Sequence, residues 1–297
     1  MRKAFLQLHG AVVLAGLTGI LGRLIDLNEG LLVWYRLMIT AVTLWVLFFF
    51  TKKLQRTSFR EVLKIVGVGA IAALHWVTFF GSIKYSNVSV GVVCFSAIGF
   101  FTAIFEPIIA RKKMNWVELL LGLIAVIGIS LIFHFDPQYK TGIIVGLISA
   151  WLGCLFPIFN RQLLQKHTAE TVTLYELSGG FLFLSVLLPF YLNYFPADHL
   201  LPGWTDLIWL LILAWLCTVW AFHLSMNALK KISAFTVNLT YNLEPLYSIV
   251  LAFLLFREDK QLADSFYLGL LLIVISVLLQ NWFFYRAHKK ASLAANA

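Results

Sequence analysis

Residues 233–256 read SAFTVNLTYNLEPLYSIVLAFLLF, an apolar run of 24 residues interrupted by one carboxylate, Glu244, and the proline that follows it. A helix that crosses the hydrocarbon core of a bilayer needs roughly 20 mainly apolar residues, and this run meets that length. Lys230 and Lys231 precede it and Arg257 follows it, so charge marks both ends. Working outward, nine further runs of this kind occur, at approximately 4–25, 31–51, 62–83, 87–110, 115–134, 141–163, 169–193, 205–229 and 265–286. In hydrocarbon every backbone N–H and C=O must be paired within the segment, so runs this long and continuous are helices. Barrel strands would show alternating segments of about ten residues instead. The expected fold class is an all-α integral membrane protein with ten transmembrane helices.

Composition agrees. The chain of 297 residues is 61% hydrophobic and 12% charged, with a mean hydropathy of +0.87. Soluble domains are about half apolar and about a quarter charged. The 23 Lys+Arg and 14 Asp+Glu could not coat a soluble domain of this size, and lipid replaces the polar shell. A net charge of +9 would elsewhere suggest nucleic acid. Here the basic residues fall in short clusters between apolar runs and form no basic helix or stripe, so no nucleic-acid partner is expected. Cys94, Cys154 and Cys217 each lie inside an apolar run without ligand-type spacing and read as small buried hydrophobes. There is no phosphate-cradling glycine loop, no HExxH, no GxSxG and no paired Asp at metal-ligand spacing. No cofactor or metal is therefore expected, and a membrane-embedded enzyme or a channel for a small polar solute stays a rival reading. Met1-Arg2-Lys3 followed by an apolar run imitates a secretory signal. No small-x-small cleavage site follows before Arg23, so the run is expected to stay as a first helix.

Orientation follows from Lys and Arg in the connections. With the N-terminus in the cytoplasm, the inner side holds 17 of them, from Arg2 and Lys3 to Arg286, Lys289 and Lys290 in a basic tail over 286–297. The outer side holds five, Arg23, Lys84, Lys140, Arg257 and Lys260, and Arg36 falls inside a span. Both termini are thus expected in the cytoplasm of a multi-pass cell (inner) membrane protein. Trp34, Trp116, Trp204, Trp209 and Trp282 near the ends of runs suit interfacial anchoring.

The chain also resembles itself. Lys84 and Lys230 match at an offset of 146, Gly122 and Gly269 at 147, and Tyr35-Arg36 faces Tyr175-Glu176 at 140. Two halves of five spans each must cross the membrane in opposite senses, because five is odd. Such inverted repeats commonly carry a site at the repeat interface near the midplane.

Arg36 in the second run, Leu243-Glu244-Pro245-Leu246 in the ninth, Glu258 thirteen positions after that proline, and the rhythm of Ser89 to Gly128 together resemble the EamA-type members of the drug/metabolite transporter superfamily. The resemblance spans two copies, about 5–133 and 141–283. It departs at Arg257, where a glycine is usual, and at Gly99 and Lys112, which stand in the first copy where Pro245 and Glu258 stand in the second. It implies a secondary transporter with a central cavity, often an exporter of amino acids or other small metabolites. The expected partners are then the lipid bilayer and a small-molecule substrate, with proton coupling an open option.

Ionisable groups at membrane depth are expensive, about 3 kcal/mol or more each, so they should face a cavity or a partner. Glu244 lies near the middle of its run, and its counterpart in the first copy is Ile98. It could take up a proton, bind a cationic substrate group, or serve as a structural carboxylate between helices. Pro245 should kink or open the helix and free a backbone acceptor beside it. Asn238, Tyr241 and Asn242 share a face with position 245. Arg36 and Glu176 fall near opposite mouths of the expected cavity, as gates or selectors of substrate charge, with snorkelling to the interface the plainer reading for Arg36. Glu106 should pair locally with Arg111. His75 with Trp76, and His223 with Asn227, could line the same cavity or simply pack through hydrogen bonds; His9 carries the same alternatives. Gly142 and Gly146 continue to Ala150 on one helical face and suit close helix packing.

Overall fold

The computed structural model describes residues 2–51, 54–135, 137–232, 234–241 and 243–295; at Arg2, 133–135, Pro137, 234–235, 238–239, 280–281 and 284–295 it describes backbone only. Among these residues the regular structure is helical. In chain order the helices are α1 (Arg2–Leu24), α2 (Glu29–Thr51), α3 (Phe59–Tyr85), α4 (Val88–Phe95), α5 (Ile98–Ala110), α6 (Trp116–Phe135) and α7 (Lys140–Leu163). They continue as α8 (Ala169–Tyr194), α9 (Trp204–Ala214), α10 (Ala221–Leu229), α11 (Ala234–Tyr241), α12 (Glu244–Phe256) and α13 (Asp264–Ala295). Seven segments are long and apolar enough to cross a membrane, among them 88–110 and 204–229, each built from two helices. Three shorter apolar helices, Trp116–Ile132, Glu244–Phe256 and Asp264–Leu279, occupy the places of the fifth, ninth and tenth expected spans. The helix that opens at Asp264 runs on through the basic stretch to Ala295.

Two of the expected spans, 87–110 and 233–256, are broken by turns, and these breaks match in register. Helix α4 has eight residues and α5 thirteen; α11 has eight and α12 thirteen, with both pairs of start positions 146 apart (88 and 234, 98 and 244). At the first break the Ala97 N–H bonds to the Cys94 carbonyl, and at the second the Leu243 N–H bonds to the Thr240 carbonyl, again 146 residues on. Each broken helix ends on an arginine in the left-handed region, Arg111 at φ 52° and Arg257 at φ 55°. These are the only non-glycine residues with positive φ among those described. The left-handed turn explains why glycine would be the easier residue at position 257. Pro245 sits in the first turn of α12, where a missing N–H is tolerated, so the expected span opens here into two helices. The first break has no proline, and 87–110 reads as continuous in sequence.

The two broken helices lie antiparallel: α12 packs on α4 and α11 on α5. Around them α3 packs against α7 and α8, and α1 against α10 and α12. Helices α6 and α13 cross closely at glycine. A Cβ on Gly128 would stand 2.6 Å from the Gly269 carbonyl oxygen, and one on Gly269 would stand 2.5 Å from that of Gly128. Gly142 and Gly146 face Ser82 and Ser86 of α3, and Ser82 Oγ donates to the Gly142 carbonyl at 2.7 Å.

Candidate functional site

The two breaks border one chamber of about 90 Å³. Phe95 and Ile98 come from the first break and Tyr241 and Glu244 from the second, with α1, α2, α3, α7 and α10 completing the wall. Because helices stop and restart here, polar backbone and a carboxylate reach a depth that an unbroken apolar helix would seal.

Arg36 enters from α2 and is 2% exposed. Its Nε donates to Thr218 Oγ1 at 2.7 Å and its Nη2 to the Cys217 carbonyl at 3.4 Å. Its guanidinium lies 4.1 Å from the Trp76 ring centre. Both acceptors belong to a π-helical turn, Trp215–Trp220, between α9 and α10. Thr218 Oγ1 donates in turn to the Leu213 carbonyl, five residues back. Such turns frequently mark functional sites, because the widened turn releases backbone groups. Arg36 Nη1 has no partner among the described residues. The side chain therefore does not snorkel: its partners lie 181 and 182 positions away in sequence, inside the fold.

Glu244, 4% exposed, is the first residue of α12 and lines the chamber within electrostatic reach of Arg36. No ion pair within 4.0 Å joins the two among the described residues. A guanidinium and a carboxyl group thus face one small cavity without direct contact. Trp76, Phe79, Phe95, Phe156 and Phe222 form its aromatic wall. His75 lines the chamber too, yet its Nδ1 is engaged by Ser149, 3.0 Å from the carbonyl oxygen and 2.9 Å from Oγ.

The other expected site residues are placed as follows. Tyr241 is on the wall. Asn242, and the side chain of Asn238, lie outside the described residues. Glu176 is fully buried but not on the wall; its Oε1 accepts from Asn160 Nδ2 at 3.0 Å, and Asn160 is on the wall. Asn227 is not on the wall: its amide donates to His223 Nε2 at 2.9 Å, and His223 faces a separate groove between α2, α8 and α10. Glu106 pairs with Lys112 at 3.8 Å instead of Arg111, because the left-handed turn at Arg111 brings the following residue into reach.

Polar clusters close both ends of the helix bundle. At one end Glu258, fully buried, accepts from the N–H groups of Val88 (3.1 Å) and Ser89 (2.9 Å) and from Ser89 Oγ (2.7 Å). A carboxylate is favoured there by the unpaired amides and dipole of the α4 N-terminus. Beside it Glu29 accepts from Tyr85 at 2.8 Å and from Tyr191. At the other end Arg161 donates to the carbonyls of Leu229, at 2.7 Å, and Ile232, tying α7 to the link between α10 and α11.

Asn160, Thr218 and Cys217 were not singled out from sequence as site residues. Asn160 carried a usable signal, an amide within an apolar span next to Arg161. The π-helical turn carried none, since WLCTVW reads as ordinary apolar helix.

Paired breaks in apolar helices thus border a buried polar chamber, in a chain with seven segments long and apolar enough to cross a membrane. The chain belongs to the EamA-like transporter family, whose model matches it twice, over residues 2–134 and 140–282. It is similar to an uncharacterized transporter of Haemophilus influenzae, 26% identical over 50% of this chain and 51% of that protein. It is also similar to one of Synechocystis, 23% identical over 67% and 59%, and to one of Archaeoglobus fulgidus, 22% identical over 78% and 81%. The match therefore spans little more than half the length of the first two relatives. A solved crystal structure shares the fold at a TM-score of 0.69 and 14% identity, over 97% of this chain and 99% of that one.

Proposed function

We propose that the protein is a secondary transporter that moves a small metabolite such as an amino acid, as an exporter, by alternating access around the chamber between the two helix breaks. Ten spans in two inverted fives, with both termini in the cytoplasm, accompany this reading. The observation that carries it is the buried guanidinium of Arg36 and the buried carboxyl group of Glu244 facing one cavity, with Nη1 of Arg36 unengaged among the described residues. A small ligand with a carboxylate and an ammonium group would satisfy both groups, its remainder lying against the aromatic wall. The Glu258 and Arg161 clusters then close the outer and inner ends, and each must part in turn. Glu244 either binds the ammonium group or carries a proton in exchange for it.

Reconstitution tests this. Proteoliposomes loaded with pooled metabolites should release or take up particular zwitterionic compounds, and Glu244→Gln should abolish that flux or its response to a pH gradient. Unchanged flux and unchanged pH response in the variant would defeat the reading.

A further inference from the structure

Asn160 stands between a carboxylate the chamber cannot see and the chamber itself. Its Nδ2 donates to Glu176 Oε1 at 3.0 Å, while its own Oδ1 and the second oxygen of Glu176, Oε2, are buried without a partner among the described residues. Asn160 is 1% exposed and Glu176 0%, so water does not complete these valences from the surface. The charged groups on the surrounding elements are engaged elsewhere. Arg161 of α7 binds the Leu229 and Ile232 carbonyls, and Arg36 of α2 binds Thr218. On α3, His75 binds Ser149 and Glu61 holds Lys64 and His167; His223 of α10 holds Asn227. Glu170 and Tyr175, on α8 with Glu176, form no hydrogen bond or ion pair with it among the described residues. The Asn160 amide is the one polar group described as meeting the Glu176 side chain.

An amide offers a donor at one end and an acceptor at the other, and an ionised carboxylate can only accept. With Glu176 ionised, Asn160 must turn its NH2 toward it, which leaves Oδ1 as a buried, unpaired acceptor in a residue of the chamber wall. With Glu176 protonated, the carboxylic O–H needs an acceptor. Rotation of the amide by half a turn supplies one and presents the NH2 to the chamber instead. We propose that Asn160 is a specificity-determining switch, through which the protonation of Glu176 sets whether this part of the chamber wall accepts or donates a hydrogen bond. An ammonium-bearing end of a ligand is favoured in one state and a carboxylate-bearing end in the other. The proton passes between Glu176 and water in the chamber as the Asn160 side chain turns, and no other bond changes. The inference rests on the reading of the chamber as the transport site.

Infrared difference spectroscopy between about pH 4 and about pH 9, on the full chain in lipid vesicles without any substrate, tests the switch directly. Parent protein is compared with Glu176→Gln, each with ordinary and with isotope-labelled asparagine. The parent is expected to show a carboxylic C=O band that titrates, and an asparagine amide band that shifts with the same midpoint. Both changes should be lost in Glu176→Gln, a near-isosteric variant whose folding is checked by its melting curve. A titrating Glu176 band without an asparagine shift, an asparagine shift that survives in the variant, or no Glu176 band in this range would each overturn the switch. None of these outcomes bears on transport by Arg36 and Glu244, which the flux measurement decides separately.

Discussion

The Arg36 guanidinium lies 4.1 Å from the centre of the Trp76 ring, and both side chains line the chamber that also holds Glu244. Stacking on an aromatic face combined with two hydrogen bonds fixes a planar fork in a way that an ammonium group cannot reproduce. Arg36→Lys keeps the charge but loses the bond from Nε and the stack. Hydrogen bonds involving charged groups contribute about 1.5–3 kcal/mol, and about 1.4 kcal/mol corresponds to tenfold in affinity. A tenfold or larger rise in the half-saturating concentration is therefore expected in proteoliposome flux assays. An unchanged value would show that the fork is not used.

Arg111 and Arg257 occupy equivalent left-handed positions at the ends of α5 and α12. That conformation costs an L-residue about 1–2 kcal/mol, while glycine gives back about 0.5–1 kcal/mol in backbone entropy. The Arg257–Asp259 pair, at 3.8 Å between partly exposed side chains, adds little against this. Arg257→Gly is expected to melt at the same temperature as the parent or slightly higher, whereas Arg257→Val should melt lower. Thermal unfolding in detergent separates the two.

Gly128 and Gly269 let α6 and α13 approach until each would press a Cβ against the other's carbonyl oxygen. Leucine at either position must push the helices apart, and overpacking of this kind costs about 1–3 kcal/mol. Each single variant should lose stability to that extent. The double variant should lose less than the sum, because the first substitution already opens the crossing.

Glu258 joins the end of α12 to the start of α4 through the Val88 and Ser89 amides. Removing the carboxylate in Glu258→Ala strands two buried N–H groups, at about 1–3 kcal/mol for each such loss. Ser89→Ala removes a hydroxyl bond only and should cost less. If Glu258 also closes the outer end, a cysteine at Ser89 in the Glu258→Ala background should gain reactivity toward an impermeant thiol reagent added outside.

Much of the fold was legible in the apolar runs, because length and charge placement are local properties of the chain. The break at Glu244 was half legible, since Pro245 announces an interruption without saying whether the helix bends or restarts. The break at Ser96–Ala97 was not legible; nothing between Cys94 and Gly99 forbids helix, and only its match to the Thr240–Leu243 turn, 146 residues on, reveals it. Of the two readings of Arg36, gate or snorkelling side chain, the sequence could not choose, because its acceptors sit in a π-helical turn far along the chain. Glu176 was placed at a mouth of the cavity, whereas the packing of α7 and α8 on α3 buries it and its side chain meets Asn160. Asn227, read with His223 either as a wall residue or as hydrogen-bonded packing, forms the bond to His223 and is not on the wall. Depth along a helix could be counted from sequence; the face it presents to a neighbour could not.

Cys217 offers the most direct test of the central claim, that the chamber is where the transported molecule binds. It lines the chamber beside Arg36 and is 5% exposed. In a background with Cys94 and Cys154 replaced by alanine, the rate at which a small methanethiosulfonate modifies Cys217 is measured in proteoliposomes with and without each metabolite that the parent transports. Transported metabolites are expected to slow modification at concentrations that half-saturate flux, and not to do so in Glu244→Gln. Modification at the same rate whether or not a transported metabolite is present would contradict the account.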